Sequence, residues 1–202
     1  MNRVASVLDR ALIGAYAVLW TGGVICYVAI GGPPAGSEWT APAFLFLAAT
    51  IVVRHSTRPE RPVLLGVAVV AWLIELLGVH TGVPFGRYRY TGVLFPQILG
   101  TPLAIGCAWL ILFAYVRQML AMLSLRRTAA PWIGAAWMVL FDLLIDPMAA
   151  GPLGYWTWHE GGRYYGIPST NFLGWFVVSL FLFALFSRKI HSSNSHTPLT
   201  GL

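Results

Sequence analysis

Six apolar runs, separated by short segments rich in Arg, Gly and Pro, divide the chain and predict its helices. Apolar runs approaching about 20 residues are typical of helices that cross a membrane. The predicted helices cover residues 11–30, 39–53, 63–79, 99–123, 131–147 and 171–186. The second helix is the shortest, and a tilted helix or a locally thinner bilayer would accommodate it.

Composition supports a membrane protein. The chain is 57% hydrophobic and 10% charged, and its mean hydropathy is +0.71, whereas soluble domains carry about 25% charged residues. We therefore predict an all-α, polytopic membrane helix bundle of about six transmembrane helices. Residues 1–187 would form one transmembrane domain, and residues 188–202 a disordered cytoplasmic tail.

The basic residues lie mainly in the short connections and near both ends of the chain, although two long loops contain Arg87, Arg89 and Arg163. By the positive-inside rule, this distribution predicts that both termini are cytoplasmic and that the two long loops are extracytoplasmic. The net charge of +6 is thus a topology signal, and no nucleic-acid partner is expected. The expected location is the plasma membrane of a bacterium or archaeon.

Three acidic residues, Glu75, Asp142 and Asp146, lie inside the predicted spans. The spacing of four places Asp142 and Asp146 on one helix face, one turn apart. A rise of about 1.5 Å per residue puts Glu75 and Asp142 at similar depth, slightly beyond the middle of a hydrocarbon core about 30 Å thick. Because intramembrane carboxylates usually face a bundle interior, we expect the three acids to share one chamber as catalytic residues.

The chamber is expected to open toward the two long loops and the start of the sixth helix. The residues expected to bind substrate there are Tyr88, Tyr90, Trp156, Trp158, Tyr164, Tyr165, Asn171 and Trp175, with His80, Arg87 and Arg89 as polar support. Structural roles are also open to these residues, since aromatic rings form interfacial belts and arginines anchor loops or headgroups. The acids can likewise anchor helices, although ionisable residues inside a membrane are functional by default.

The chemistry favoured by this set is acid catalysis on a lipid. Two neighbouring carboxylates in an apolar site do not both ionise easily, so one is expected to act as a general acid. An acid, a base and aromatic faces are what is needed to protonate an unactivated alkene, stabilise the tertiary cation and add water to it. Hydrolase triads, phosphate loops, Cys/His metal clusters and dinucleotide fingerprints are not apparent, so neither a metal nor a cofactor is expected.

Four ordered motifs between about residues 73 and 175 resemble the carotenoid biosynthesis membrane proteins, a family that includes the carotenoid 1,2-hydratases of the bisanhydrobacterioruberin hydratase type. They are P-F-G-R-Y-R-Y-T at 84–91, F-D-L-L-I-D-P at 141–147, Y-W-T-W at 155–158 and Y-Y-G-I-P-S-T-N-F-L-G-W at 164–175. Glu75 and the two aspartates match acidic positions of the family.

The resemblance implies water addition across the terminal C1=C2 bond of an acyclic carotenoid, giving a tertiary alcohol without a redox cofactor. Asp142 or Asp146 would donate the proton, and the other aspartate and Glu75 would orient water or stabilise the cation. The substrate would be a lipophilic carotenoid within the membrane, and other carotenoid-pathway enzymes are candidate partners.

Two other classes remain open. The D-x-x-x-D spacing of Asp142 and Asp146 resembles the motif by which membrane prenyltransferases bind an isoprenyl diphosphate through Mg²⁺, and Arg87 and Arg89 would assist such binding. Those enzymes usually pair two Asp-rich motifs, and one is present. A non-enzymatic carotenoid- or lipid-binding protein would use the aromatic residues for binding and the acids for packing or proton coupling.

Overall fold

The computed structural model of the chain describes residues 6–123 and 125–194 and confirms the all-α class. The helices are α1 (Val7–Ile30), α2 (Thr40–His55), α3 (Glu60–Thr81), α4 (Leu103–Met122), α5 (Ala130–Ala150) and α6 (Ser169–Asn194). All except α2 are long and apolar enough to cross a membrane, and α2 is a shorter apolar helix of 16 residues. The chain is therefore an integral membrane protein built mostly of helices.

Helices α1 and α3 begin before their apolar runs, and each has an acidic residue in its first turn that accepts a backbone hydrogen bond. Ser6 precedes α1, and its hydroxyl accepts a hydrogen bond from the backbone N–H of Asp9, while the Asp9 carboxylate accepts one from the backbone N–H of Ser6. In α3 the carboxylate of Glu60 accepts a hydrogen bond from the backbone N–H of Thr57. The reciprocal cap of α1 satisfies N–H groups that a helix start leaves free, whereas α3 has no side-chain cap at its N-cap residue, Pro59. The predicted starts at 11 and 63 lie inside these helices.

The predicted start of the fourth helix at residue 99 is wrong. Residues 97–102 form a hairpin in which strand β2 (Gln97–Ile98) pairs with strand β3 (Thr101–Pro102). The two turn residues, Leu99 and Gly100, both have positive φ, +50° and +77°, as a tight two-residue turn requires. Helix α4 therefore begins only after Pro102.

Helix α5 continues through Pro147 to Ala150, whereas the sequence predicted its end at this proline. Proline has no backbone N–H, so it leaves the carbonyl of the residue four positions earlier without its helical partner. That residue is Leu143, and its carbonyl accepts a hydrogen bond of 2.9 Å from the hydroxyl of Tyr164. A side chain from the following loop thus satisfies the carbonyl, and the helix continues.

Helix α6 is also longer than predicted. It starts at Ser169 and its helical backbone continues to Asn194, past the predicted end at 186 and past the predicted start of the tail at 188. Residues 195–202 of the predicted disordered tail lie outside the described residues.

Helices α3, α4, α5 and α6 form the core of the bundle, and small residues bring their backbones close. A Cβ atom added to Gly106 of α4 would lie 2.8 Å from the carbonyl oxygen of Ala68 on α3, and one added to Gly134 of α5 would lie 2.9 Å from the ring of Phe183 on α6. Helix α1 packs mainly on α2 and has no buried residue.

A short two-stranded sheet closes one end of the bundle. Strand β1 (Tyr88–Tyr90), in the loop after α3, pairs antiparallel with strand β4 (Trp156–Trp158), in the loop after α5. Tyr88 lies opposite Trp158, and Tyr90 lies opposite Trp156. Because side chains alternate along a strand, all four rings share one face, and we call β1 and β4 together the aromatic lid.

Candidate active site beneath the aromatic lid

The three acids of the predicted spans line one cavity beneath the aromatic lid. Glu75 comes from α3, and Asp142 and Asp146 come from α5. Only 5% of Glu75 and 1% of each aspartate is exposed. The cavity has a volume of about 80 Å³, and the i, i+4 spacing turns both aspartates toward it, as the sequence predicted.

Glu75 is held by three hydrogen-bond donors. Its Oε2 accepts hydrogen bonds from the hydroxyls of Tyr88 at 2.5 Å and Tyr90 at 2.8 Å. Its Oε1 accepts one of 2.9 Å from the indole N–H of Trp109 on α4. Both carboxylate oxygens therefore already have donors, which suits Glu75 to fix the lid onto α3 and to supply negative charge at the cavity wall.

The two aspartates are linked by one amide group from α6. The side-chain Nδ2 of Asn171 donates hydrogen bonds to Oδ2 of Asp142 at 2.7 Å and to Oδ2 of Asp146 at 2.8 Å. The other oxygen of Asp146, Oδ1, accepts a hydrogen bond of 2.8 Å from the indole N–H of Trp156 in the lid. Asp146 thus has donors on both oxygens, as Glu75 has.

Asp142 differs from the other two acids because one of its oxygens remains free. Its Oδ1 accepts no hydrogen bond from the described residues, and the Asp142 side chain lines the cavity. A carboxyl oxygen in this position can carry a proton into the cavity. Among the described residues, Asp142 is therefore the acid best placed to deliver a proton to a bound molecule.

Aromatic rings form much of the cavity wall. Trp109 and Trp175 stack with ring centroids 4.1 Å apart and planes at 15°, and both line the cavity. Tyr88 packs against Trp158 at 5.1 Å, and Tyr90 meets Trp156 edge-on at 5.8 Å. Such π-faces attract positive charge, so the wall can stabilise a cation that forms inside.

The lid tyrosines are neutral hydrogen-bond donors. Burial raises the pKa of Tyr88 and of Tyr90 above the ordinary value of 10, and the adjacent Glu75 carboxylate raises it further. Their hydroxyls therefore keep their protons across the physiological range and continue to donate to Glu75.

Trp158 contributes a buried polar group to the cavity wall. Its indole N–H is buried and has no hydrogen-bond partner among the described residues, although it lies near the Asp146 carboxylate. Buried donors normally have partners, protein or water. This N–H is therefore available to a polar ligand at the cavity wall.

Two tyrosines predicted to bind substrate are not part of the cavity wall. Tyr164 is 38% exposed and holds the Leu143 carbonyl on α5, and Tyr165 is 77% exposed. The first part of the motif at 164–175 therefore stabilises α5 near Pro147, and its second part supplies Asn171 and Trp175 to the cavity wall.

The predicted polar support also lies elsewhere. His80 and Arg87 border a separate pocket together with His159. Arg89 is exposed, and its Nε donates to the hydroxyl of Thr157 at 3.3 Å on the face of the lid opposite the aromatic rings. The arginines are therefore not assembled with the aspartates, so they do not offer the assistance to diphosphate binding that the prenyltransferase alternative expected of them.

Sequence reasoning missed Trp109, which donates to Glu75 and stacks on Trp175. A signal was present, because Trp109 lies within a span, whereas membrane tryptophans are enriched at the interfaces, and a buried indole N–H usually has a partner. It also missed the apolar wall formed by Phe85, Ile105 and Leu112. Their side chains do not differ in type from the many lipid-facing residues of the same helices.

No group of three or more His, Cys, Asp or Glu side chains within residues 6–123 and 125–194 is arranged to hold a metal ion. The facing oxygens of Asp142 and Asp146 both bind the Asn171 amide instead.

The region that contains the cavity is similar to known proteins. Residues 40–200 match the family model described as carotenoid biosynthesis protein, a range that contains the whole cavity. Over 130 residues the chain is 32% identical to the bisanhydrobacterioruberin hydratase of Haloarcula japonica, an alignment that covers 59% of this chain and 43% of that relative. The chain thus matches less than half the length of this curated relative, and no solved structure matches it.

Proposed function

Since the chain belongs to the carotenoid biosynthesis protein family, we propose that it is a membrane hydratase that adds water to the terminal C1=C2 bond of an acyclic carotenoid. The free Oδ1 of Asp142 is the observation that carries this proposal. It borders a small, aromatic-walled cavity that two further carboxylates surround. A relative named as a hydratase, at 32% identity, supports the reaction class.

The reaction begins with proton transfer from Asp142 to C2, the less substituted alkene carbon. The π electrons form the new C2–H bond and leave a tertiary cation at C1. Carboxylates and π-faces stabilise this charge in a water-poor site, where electrostatic interactions are strong. General acid catalysis of this kind typically contributes about 10²- to 10⁴-fold.

Water then attacks C1, and the proton it loses returns to the aspartate pair, so that the acid is restored. The Trp158 indole N–H and Asp146 lie on one side of the cavity and would hold this water between a donor and an acceptor. Asn171 fixes the positions of the two aspartates relative to each other during proton transfer, because its amide group donates a hydrogen bond to each. Hydrogen and hydroxyl are added in equal number, and neither oxidant nor reductant is consumed.

The orientation in the membrane is part of the proposal. The lid would lie at the extracytoplasmic surface, and both termini would be cytoplasmic, with α2 as a sixth, shorter span in the plasma membrane. Support comes from basic residues at the end of α3 and α4 opposite the lid. Arg54 lies in the last turn of α2, Arg58 in the connection to α3 and Arg61 in the first turn of α3, while Arg126 and Arg127 lie between α4 and α5.

Co-expression with a pathway that makes lycopene tests the function. We expect pigment heavier by one water, identified by mass spectrometry, and no such product with an Asp142→Asn variant. Unchanged pigment across several acyclic carotenoids, with the protein present in the membrane, would refute hydration. Bound pigment of unchanged mass would indicate a carrier, and Mg²⁺-dependent consumption of an isoprenyl diphosphate would indicate a prenyltransferase.

A further inference from the structure

The cavity is too small for a whole carotenoid. Its volume is about 80 Å³, about half that of an apolar cavity that accommodates benzene, so the space as it stands admits at most a few terminal carbons. Any long molecule that reaches Asp142 can therefore place only its terminal carbons in the cavity, and the rest must leave the protein through an opening in the wall.

The wall is incomplete between α4 and α5. Ile145 of α5 lines the cavity and yet is 38% exposed, and across the gap Ala108 and Leu112 of α4 line it and are half-buried. These three residues are called the α4–α5 window. Helices α4 and α5 also pack less closely on each other than α5 packs on α6 or α3 on α4.

The window has a defined frame. Strand β4 of the lid follows α5 and lies above it. About one turn further from the lid, Tyr115 of α4 and Phe141 of α5 meet edge-on with ring centroids 5.6 Å apart and close the gap. The opening is therefore about as tall as one to two helical turns, which admits a narrow chain end and not a wide ring system.

The surface outside the window is apolar. Leu144 is 70% exposed and Met148 is 50% exposed on the same part of α5, in a helix apolar enough to span a membrane. The window therefore faces hydrocarbon. A water-soluble substrate would have no access to it, whereas a molecule dissolved in the bilayer would meet it directly.

We propose that the α4–α5 window is the port through which the end of a long, acyclic isoprenoid enters sideways from the membrane, while the rest of its chain stays in the lipid beside α5. The inference rests on the proposed function for the identity of the occupant, a carotenoid with an open-chain end. It adds a specificity determinant, because the size of residue 108 and residue 112 sets the width of end group that reaches Asp142.

Binding kinetics in lipid nanodiscs test the window separately from the chemistry. Lycopene association, followed by quenching of tryptophan fluorescence, is measured in an Asp142→Asn background so that no turnover interferes. Ala108→Phe narrows the window and should slow association about tenfold or more. Ala136→Phe makes the same change at an exposed position of α5 that does not line the cavity, and it should leave association unchanged.

A second variant widens the window. Leu112→Ala should let a carotenoid with a cyclised end bind, whereas Leu140→Ala, at a 58% exposed site outside the cavity wall, should not. Equal behaviour of Ala108→Phe and Ala136→Phe, both folded by circular dichroism, overturns the port. If Ala108→Phe does not fold, equal behaviour of Leu112→Ala and Leu140→Ala overturns it.

Failure of the port and failure of the proposed function give different results. Hydration by the unmodified protein, with both window variants behaving as their controls, leaves the function standing and removes the port. Window-dependent binding of lycopene that the unmodified protein never hydrates leaves the port standing and removes the hydratase. Absence of lycopene binding overturns the port.

Discussion

Replacing each aspartate by asparagine should separate catalysis from stability. In Asp142→Asn the new carbonyl oxygen can take the place of Oδ2 and accept the hydrogen bond from Asn171, while the new NH₂ group points into the cavity where Oδ1 now lies. Every existing hydrogen bond is kept, so we expect the free energy of unfolding to change by less than about 1 kcal/mol.

Hydration, in contrast, should fall strongly in Asp142→Asn because an amide cannot donate an acid proton. Loss of general acid catalysis lowers rates by about 10²- to 10⁴-fold. At about 1.4 kcal/mol for each factor of ten, this corresponds to about 3 to 5.5 kcal/mol of lost transition-state stabilisation.

Asp146→Asn should behave in the opposite way toward stability. Both oxygens of Asp146 accept hydrogen bonds, from Asn171 and from Trp156, so either orientation of the new amide points an NH₂ group at another N–H donor. One buried donor then lacks an acceptor, which costs about 1–3 kcal/mol. Asp142 is the protonated member of the pair, so only Asp146→Asn removes a negative charge, and with it the charge that strengthens the hydrogen bonds from Asn171 and Trp156.

The assay combines product mass with thermal unfolding of the two purified variants in detergent, followed by circular dichroism. We expect Asp142→Asn to unfold near the temperature of the unmodified protein and to make little or no hydrated product, and Asp146→Asn to unfold at a lower temperature. Undiminished hydration by Asp142→Asn would refute its role as the acid. A larger loss of stability in Asp142→Asn than in Asp146→Asn would refute the hydrogen-bond reasoning.

Three further predictions follow from the lid and the loops. Tyr164→Phe leaves the Leu143 carbonyl without its partner and should lower the free energy of unfolding by about 1–3 kcal/mol with KM unchanged; kinetics showing a raised KM and unaltered thermal unfolding would instead support substrate binding. Trp158→Phe should divert the cation from water capture to loss of a methyl proton, and in D₂O the isomerised alkene should carry deuterium that mass spectrometry detects. Trp72→Phe is the control, because its indole N–H is also buried without a partner but lies outside the cavity; it should not change the product. An unchanged alcohol fraction in Trp158→Phe contradicts the water site. The two tyrosines of β1 keep their protons in the folded state, whereas in the unfolded chain they ionise near pH 10, so the free energy of unfolding should fall above that pH by up to about 1.4 kcal/mol per pH unit for each. Denaturant unfolding at several alkaline pH values measures this dependence. The slope of the free energy against pH should be smaller when both tyrosines are replaced by Phe, and equal slopes would contradict the reasoning.

The three acids of the site could be predicted from the sequence because charged side chains are costly, and therefore rare, inside a membrane-spanning helix. Glu75, Asp142 and Asp146 stand out against apolar neighbours, and helical rise alone puts Glu75 and Asp142 at similar depth. Asn171 was also expected near them, since it opens the last helix on the same side.

The remaining features depend on contacts between distant parts of the chain. The end of α5 was predicted at Pro147 because the local rule is sound, but the hydroxyl of Tyr164 replaces the missing helical partner of Leu143. The hydrogen bond from Trp156 to Asp146 likewise depends on the lid. Its two strands lie far apart in sequence, since the paired residues Arg89 and Thr157 are separated by 68 positions. Local patterns carry no information about such pairings.

The amide that joins the two aspartates has a consequence for how the protein is made. Asn171 lies on α6, which leaves the ribosome after α5 does. Until it arrives, α5 carries two carboxyl groups without this partner, each of which costs about 3 kcal/mol at the centre of an inserting helix. We therefore expect α5 and α6 to enter the bilayer together as a hairpin, and chains truncated before α6 to be recognised and degraded by membrane quality control.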